Sequence, residues 1–407
     1  MDAGHGRDPS GAGSGAGGGA PDGGPFGGHG ALPRRRLLAW AGLAAAAGRA
    51  APAGALPARA LSFPRDRGAH NDFRTEWWYV TGQASSTPPG AAPADARRFG
   101  FQLTFFRSRV EAAQALRSRF AARQLVFAHA AVTDLRSGRL LHDQRIARWS
   151  GRPREGEAWA SEEDTAVALG DWSLVRAPDG AYRARLPAEG FALALDFRET
   201  QPPLLQGDAG LSRKGPDAAQ ASYYYSLPQL AVAGSLTVGG TRFPVDAAGT
   251  VAALADRPAA WFDHEWSQEL LHPEAEGWDW AGINLFDGSA LTLFRLRRRD
   301  GSALWAGGSL RAAGGAPRAF GPQEVAFAPL RRWTSGRTGV AYPVAWRVRC
   351  PAGEFLLEAL QDDQELDSRA STGAVYWEGL SALRDTAGHP IGRGYLEMTG
   401  YAGPLRL

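Results

Sequence analysis

Three short stretches of this 407-residue chain set carboxyls and an imidazole beside large aromatic rings. They are Arg74-Thr75-Glu76-Trp77-Trp78-Tyr79, Trp261-Phe262-Asp263-His264-Glu265-Trp266 and Tyr376-Trp377-Glu378. His129, Trp278 and Trp280 belong to the same group by residue type. The chain has 14 Trp, and any one of them is most simply a core filler, because aromatic surface dominates core energetics. A pure core, however, avoids charged neighbours. Two chemistries suit the combination. In one, the rings line an apolar cavity and a few polar groups orient a ligand. In the other, a carboxyl or imidazole in a dry pocket has its pKa moved toward the working pH and acts as a general acid, while Trp faces stabilise a developing cation. The candidate catalytic residues are Asp263, His264 and Glu265. Glu76, Trp77, Trp78, His129, Trp266, Trp278, Trp280, Tyr376, Trp377 and Glu378 are the candidate ligand contacts.

His129, Asp263, His264 and Glu265 could in principle ligate a metal. There is no second His at ligand spacing, no Cys pair and no helix to present them, so satisfied hydrogen bonds are expected instead. No G-x-S-x-G elbow, dinucleotide fingerprint or P-loop occurs, and no cofactor is expected.

The elements that must position these groups are strands. From Phe63 onward the apolar signal has a period of two. Phe99, Phe101, Leu103 and Phe105 alternate with smaller or polar residues, as do Phe191, Leu193, Leu195 and Phe197. Turn pairs sit at Asp179-Gly180, Gly239-Gly240, Asp287-Gly288 and Asp300-Gly301, where tight hairpins need positive φ. If residues 261–266 form a strand, Phe262, His264 and Trp266 share one face, which then reads as an aromatic pocket with a His. Trp261, Asp263 and Glu265 share the other face. Many short hairpin-linked strands suggest barrels or sandwiches, and about 345 residues exceed one small barrel. The expected fold is all-β, with domains at 61–269 and 270–407. Val110 to Gln124, rich in Ala and Arg, is the one expected helix. Ser85–Ala96 and Gly207–Gln220 read as surface loops.

Residues 1–33 are Gly, Ala and Pro with scattered charges, a composition that cannot bury a core. Arg34-Arg35-Arg36, an apolar run from Leu37 to Ala47 and the small-x-small Ala58-Arg59-Ala60 then follow the order of an export signal, with twin arginines and cleavage placed after Ala60. Residues 1–60 thus read as a disordered leader and signal peptide, and a periplasmic or secreted location is expected. The apolar run is about half of the roughly 20 residues a span needs, so no transmembrane span is expected in the mature protein, though peripheral membrane association stays open. One Cys forbids an internal disulfide. The chain carries 45 Lys+Arg and 42 Asp+Glu, of which the leader holds six Arg and three Asp, leaving 39 of each. A formally neutral mature chain disfavours a nucleic-acid partner.

Several phrases resemble the AttH/CrtC family: Thr75-Glu76-Trp77-Trp78-Tyr79-Val80-Thr81-Gly82, Phe101-Gln102-Leu103-Thr104-Phe105-Phe106-Arg107, Ala128-His129-Ala130-Ala131-Val132-Thr133-Asp134, Asp263-His264-Glu265-Trp266 and Gly394-Tyr395-Leu396-Glu397-Met398-Thr399-Gly400-Tyr401. The family groups secreted AttH-type proteins, often linked to ABC transporters, with carotenoid 1,2-hydratases. The resemblance runs from Phe63 to the C-terminus. It implies two tandem lipocalin-like barrels, with a ligand site between or inside them. In the hydratase branch an acid protonates an alkene without a cofactor and an aromatic box shelters the cation. His264 and Trp266 match its His-x-Trp element. That branch also places a Tyr and an Asp acid on the following strand, whereas this chain has Leu293-Phe294-Arg295-Leu296-Arg297. Arginine cannot protonate an alkene. The expectation is therefore an exported protein that binds or presents an apolar lipid or isoprenoid ligand, with an ABC permease as the candidate partner. The alternative is a cofactor-free hydratase or isomerase in which Asp263 or Glu265 replaces the missing acid.

Overall fold

The computed structural model describes residues 54–404 apart from 119, 153, 155, 247–253 and 270. The arginine triplet and the apolar run of the leader lie outside the described residues. The rest is built almost entirely from antiparallel strands, as the period of two requires.

The first sheet has 14 strands drawn from residues 75–269. Its central path runs from Arg139–Trp149 through Gln124–Asp134, Arg97–Arg109, Thr75–Ser86, Ala259–Glu269 and Ala221–Val238 to Phe191–Arg198. Four shorter strands continue it to Ala158–Ala160. The two ends of this path approach each other, giving a nearly closed barrel around Trp78, Phe101, Leu103, Phe105, Tyr225 and Trp266. Near closure leaves few open edges to aggregate. The second sheet has 10 strands from residues 290–398 and Gly277–Leu285. Phe320 and Phe327, from strands at opposite ends of its path, meet over one core with Trp346 and Trp377.

Gly180, Gly240, Gly288 and Gly301 all have φ between 78° and 89°, as the turn pairs require. The expected helix at Val110–Gln124 does not form. Only a 3-10 turn at Glu111–Ala113 appears. The Gln114 amide instead donates to Val110 O at 2.9 Å and to Arg123 O at 2.7 Å, closing a loop, so tertiary pairing overrides the helix preference of the alanines. Gly207–Gln220 is largely loop but contributes a short strand at Leu211–Arg213. No helix among the described residues is long and apolar enough to cross a membrane.

Residues 56–59 belong to the packed structure. Leu56 packs on the barrel core, Tyr223 donates to Pro57 O at 2.5 Å, and Arg59 pairs with Asp66 at 2.8 Å.

Side chains from both sheets hold the two together. Gln206 donates to Thr292 and accepts from Ser309 at 3.0 and 2.8 Å, and Asn284 donates to Ala260 O at 3.1 Å. Between the sheets lies a cavity of about 940 Å³.

Candidate functional site

Strands Thr75–Ser86 and Ala259–Glu269 pair in register, with Glu76 opposite Trp266, Trp77 opposite Glu265 and Trp78 opposite His264. Because side chains alternate, each strand divides its titratable groups between two spaces. One is the inside of the barrel and the other is the cavity between the sheets.

Glu76, Trp78, His264 and Trp266 point into the barrel and are buried. Glu76 Oε1 lies 2.8 Å from His70 Nδ1 and 2.9 Å from His264 Nε2, and its Oε2 accepts from Arg107 Nε at 2.8 Å. His70 continues the chain to Asp66 at 3.0 Å. Trp266 stacks on His70 at 3.7 Å, and Trp78 stacks on His264 at 4.9 Å. Burial would raise the Glu76 pKa, but Arg107 and the two imidazoles outweigh it and hold the carboxyl well below its usual range. Burial pulls His264 down to about 4, against the opposing pull of Glu76. The aromatic pocket expected around His264 is therefore filled: its space is taken by rings and by a satisfied polar network. His70, Glu76 and His264 offer ligand atoms within 4.8 Å of one another. Their direct hydrogen bonds and the guanidinium on Glu76 leave the carboxylate committed without an ion. Trp377 also falls outside the cavity, in the core of the second sheet.

The other eight candidates, Trp77, His129, Asp263, Glu265, Trp278, Trp280, Tyr376 and Glu378, line the cavity. Asp263 is buried and accepts three hydrogen bonds: from Tyr224 Oη at 2.8 Å, Ser226 Oγ at 2.5 Å and Trp261 Nε1 at 2.7 Å. Burial pushes its pKa up to about 7, even though these three donors favour the charged form. Trp280 Nε1 donates in turn to Tyr224 Oη at 3.2 Å. Glu265 accepts from Ser222 at 2.5 Å and pairs with Lys214 at 3.0 Å. The Lys214 ammonium sits 4.5 Å over the Tyr224 ring and 4.6 Å over Phe294.

Across the cavity, Glu378 and Glu397 are direct cross-strand neighbours. Burial raises both, Glu378 well above its usual range and Glu397 to about 7, and Glu397 adds to the rise at Glu378. Tyr79 Oη and Glu378 Oε1 are buried without a hydrogen-bond partner of good geometry among the described residues. His129 bridges the sheets, with Nδ1 2.8 Å from Tyr376 Oη and Nε2 2.8 Å from Ser371 Oγ. Burial, aided by His142, lowers it to about 3, so it is a neutral hydrogen-bonding post. Exposed Ile146, Arg337 and Arg369 mark where the cavity meets solvent.

The cavity residues absent from the candidates include Tyr79, Lys214, Tyr224 and Glu397, which bear on its chemistry. Alternation in Tyr223-Tyr224-Tyr225 could have pointed to Tyr224, since only the middle ring faces away from the barrel core. Arg295 and Arg297 face the other way and reach Asp279 at 2.7 and 3.0 Å, so Phe294 and Leu296 are what that strand gives the cavity.

The model of the AttH-like family matches residues 54–401. The chain belongs to the AttH-like family. A crystal structure of an AttH candidate from Nitrosomonas europaea is 48% identical, with a TM-score of 0.75, over 85% of this chain and 98% of that one. Kievitone hydratase from Nectria haematococca shares the fold at 15% identity and a TM-score of 0.61, over 84% of this chain and 93% of that one. No curated protein matches the sequence. This AttH-like chain thus presents a cavity with apolar walls and buried carboxyls on two opposite sides.

Proposed function

We propose that this AttH-like protein is a cofactor-independent acid–base enzyme that hydrates or isomerises an alkene in an apolar, isoprenoid-like substrate. The observation that carries this reading is the placement of Asp263, Glu378 and Glu397 in a cavity walled by Trp77, Trp278 and Trp280. A carrier for an apolar ligand gains nothing from several desolvated carboxyls, each of which is costly to bury. An alkene hydratase needs both parts. Nothing in the structure favours the carrier or transporter-accessory role.

In this mechanism Asp263 enters protonated, because its carboxyl remains neutral up to about pH 7. In this protonated state Asp263 Oδ2–H donates to Tyr224 Oη, 2.8 Å away, the reverse of the bond made by the carboxylate, so the tyrosine O–H is free to give its proton to the terminal alkene carbon as its oxygen takes the proton of Asp263. The π electrons form the new C–H bond and leave a tertiary cation. The faces of Trp77, Trp278 and Trp280 stabilise that charge. Water then bonds to the cation, and its surplus proton returns to the carboxylate, giving the alcohol. If a neighbouring C–H loses its proton instead, the product is an isomerised alkene. Kievitone hydratase carries hydration in its name, and its similar fold is compatible with this reading at the level of the scaffold. Export through the twin-arginine leader would place the reaction in the cell envelope.

The test is incubation with a panel of acyclic isoprenoid alkenes in 18O-labelled water, with products read by mass spectrometry. The expected product is an alcohol carrying 18O, absent with Asp263→Asn. In D2O, an isomerised alkene would carry deuterium. Binding of the panel without either product, or products that persist in both Asp263→Asn and Glu378→Gln, would overturn the proposal.

A further inference from the structure

A second cavity, of about 280 Å³, lies elsewhere along the seam between the sheets, and it has the opposite electrostatic character. Trp261 lines it together with Thr81, Gln83, Arg257, Asp287 and Arg393. Gln229, in the left-handed region at φ 56°, also reaches this seam, but its backbone N–H and side-chain amide are committed to Asn284, Leu285 O and Ser289 O. Asn284 is likewise used, donating to Ala260 O.

What remains unpaired there is specific. Arg393 Nε and Nη1 are buried without an acceptor among the described residues. Burial, together with Arg98 and Arg384, disfavours the charge of this guanidinium, and only Asp256 opposes them. Asp256 is already engaged by Arg98 at 2.5 Å. Arg257 brings a second guanidinium to the rim, against the single carboxyl of Asp287. Thr81 Oγ1 and Gln83 Oε1 are also buried and without a partner among the described residues, while the Gln83 amide nitrogen is held by Ala255 O and Arg257 O at 2.9 Å each. The unmet capacity is thus guanidinium donors, one hydroxyl and one amide oxygen that can only accept. A desolvated, unpaired guanidinium is costly and pairs best with an oxyanion. The free amide oxygen asks for a hydroxyl on the same molecule.

We infer that this cavity binds a small oxyanion that also carries a hydroxyl, of the hydrogen phosphate or hydroxycarboxylate class. The site stands apart from the carboxyl-lined cavity and does not depend on the reaction proposed there. Trp261 links the two, since it lines this cavity and its Nε1 donates at 2.7 Å to Asp263, which lines the other.

Isothermal titration of the full chain with hydrogen phosphate and with L-malate, each at fixed ionic strength against chloride, tests the inference and separates the two anions. Saturable one-site heat with at least one anion is expected. Arg393→Gln should weaken it about tenfold or more, the loss of one charge-assisted contact. Arg347→Gln, on the exposed face of the second sheet, should leave it unchanged. Should Arg393→Gln fail to fold, Thr81→Val keeps both guanidinium groups and should still weaken binding several-fold. No saturable heat with either anion, or unchanged affinity in Arg393→Gln or Thr81→Val, would overturn it.

Discussion

The Tyr224 hydroxyl donates to Asp263 Oδ2 at 2.8 Å and accepts from Trp280 Nε1 at 3.2 Å, so a single hydroxyl stands between the buried acid and an indole of the cavity wall. Turnover should depend on both partners of this bond, in different ways. Asp263→Asn removes the proton and should lower kcat by about 10²–10⁴-fold, the usual worth of a general acid. Tyr224→Phe keeps the acid but removes a hydrogen bond that favours its ionised form. Its rate should fall while the alkaline limb of the pH profile, near pH 7 in the natural protein, moves to higher pH. An alkaline limb that stays in place would separate Asp263 from the proton step.

The same carboxyl predicts a stability signature. The folded pKa of Asp263, about 7, lies above the ordinary carboxyl value. Between about pH 4 and 7 the folded state therefore binds the extra proton, and stability falls as pH rises through that window. His264 and His129 act in the opposite sense. Their folded values of about 4 and about 3 lie below the ordinary imidazole value, so their contribution is lost as pH falls from about 6.5. The difference between Asp263→Asn and the natural protein isolates the carboxyl. In urea melts the variant should gain relative stability from pH 4 to 7, by up to about 4 kcal/mol. A difference that does not change with pH would mean the carboxyl is solvated.

Glu76 belongs to the barrel interior, where it and Arg107 are fully buried 2.8 Å apart. Glu76→Gln leaves that guanidinium uncompensated and should cost about 3–5 kcal/mol in urea melts at pH 7. Because the folded pKa of Glu76 is depressed, its stabilisation is present above the ordinary carboxyl pKa and lost as pH falls below it, so the penalty of the substitution should shrink in acid. His264→Gln should likewise lower stability yet keep kcat within a few-fold of the natural value in the folded protein. A kcat loss as large as that of Asp263→Asn would place the reaction inside the barrel.

The contrast between Asp263 and His264 shows how far sequence reading reaches. Strand alternation separated the two residues correctly, but their pairing with Thr75–Ser86, far away in sequence, was not legible in it. Which of the two faces is hollow is a different question. Both faces carry rings beside titratable groups, and only the packing of His70, from a loop before the first strand, decides that the His264 side is full. Tyr224 and Lys214 reach Asp263 and Glu265 from residues about 40 positions away or more, and Glu378 and Glu397 pair across strands of the second sheet. Local pattern carries no record of such long-range register. The Val110–Gln124 loop is the converse case, in which a helical composition yielded to tertiary pairing.

The start of the packed structure gives the last prediction. Asp66 is buried and accepts from Arg59 Nη1 at 2.8 Å and Nη2 at 2.9 Å and from the Ser62 backbone at 2.5 Å. It also holds His70, and through it the Glu76 network. Arg59 lies 4.5 Å over the Tyr223 ring, whose hydroxyl is tied to Pro57 O. Cleavage after Ala60, as the small-x-small pattern suggested, would remove Arg59 and Pro57 and leave a buried carboxylate one partner short. That loss costs about 1–3 kcal/mol for the carboxylate alone. A chain beginning at residue 54 should therefore melt at a clearly higher urea concentration than one beginning at residue 61, and Arg59→Ala in the longer chain should reproduce most of the difference. If the chain is exported, as the leader suggests, N-terminal sequencing of the mature protein should find a start upstream of Leu56. Equal stability of the two chains, together with a natural start at Leu61, would show that the segment is dispensable.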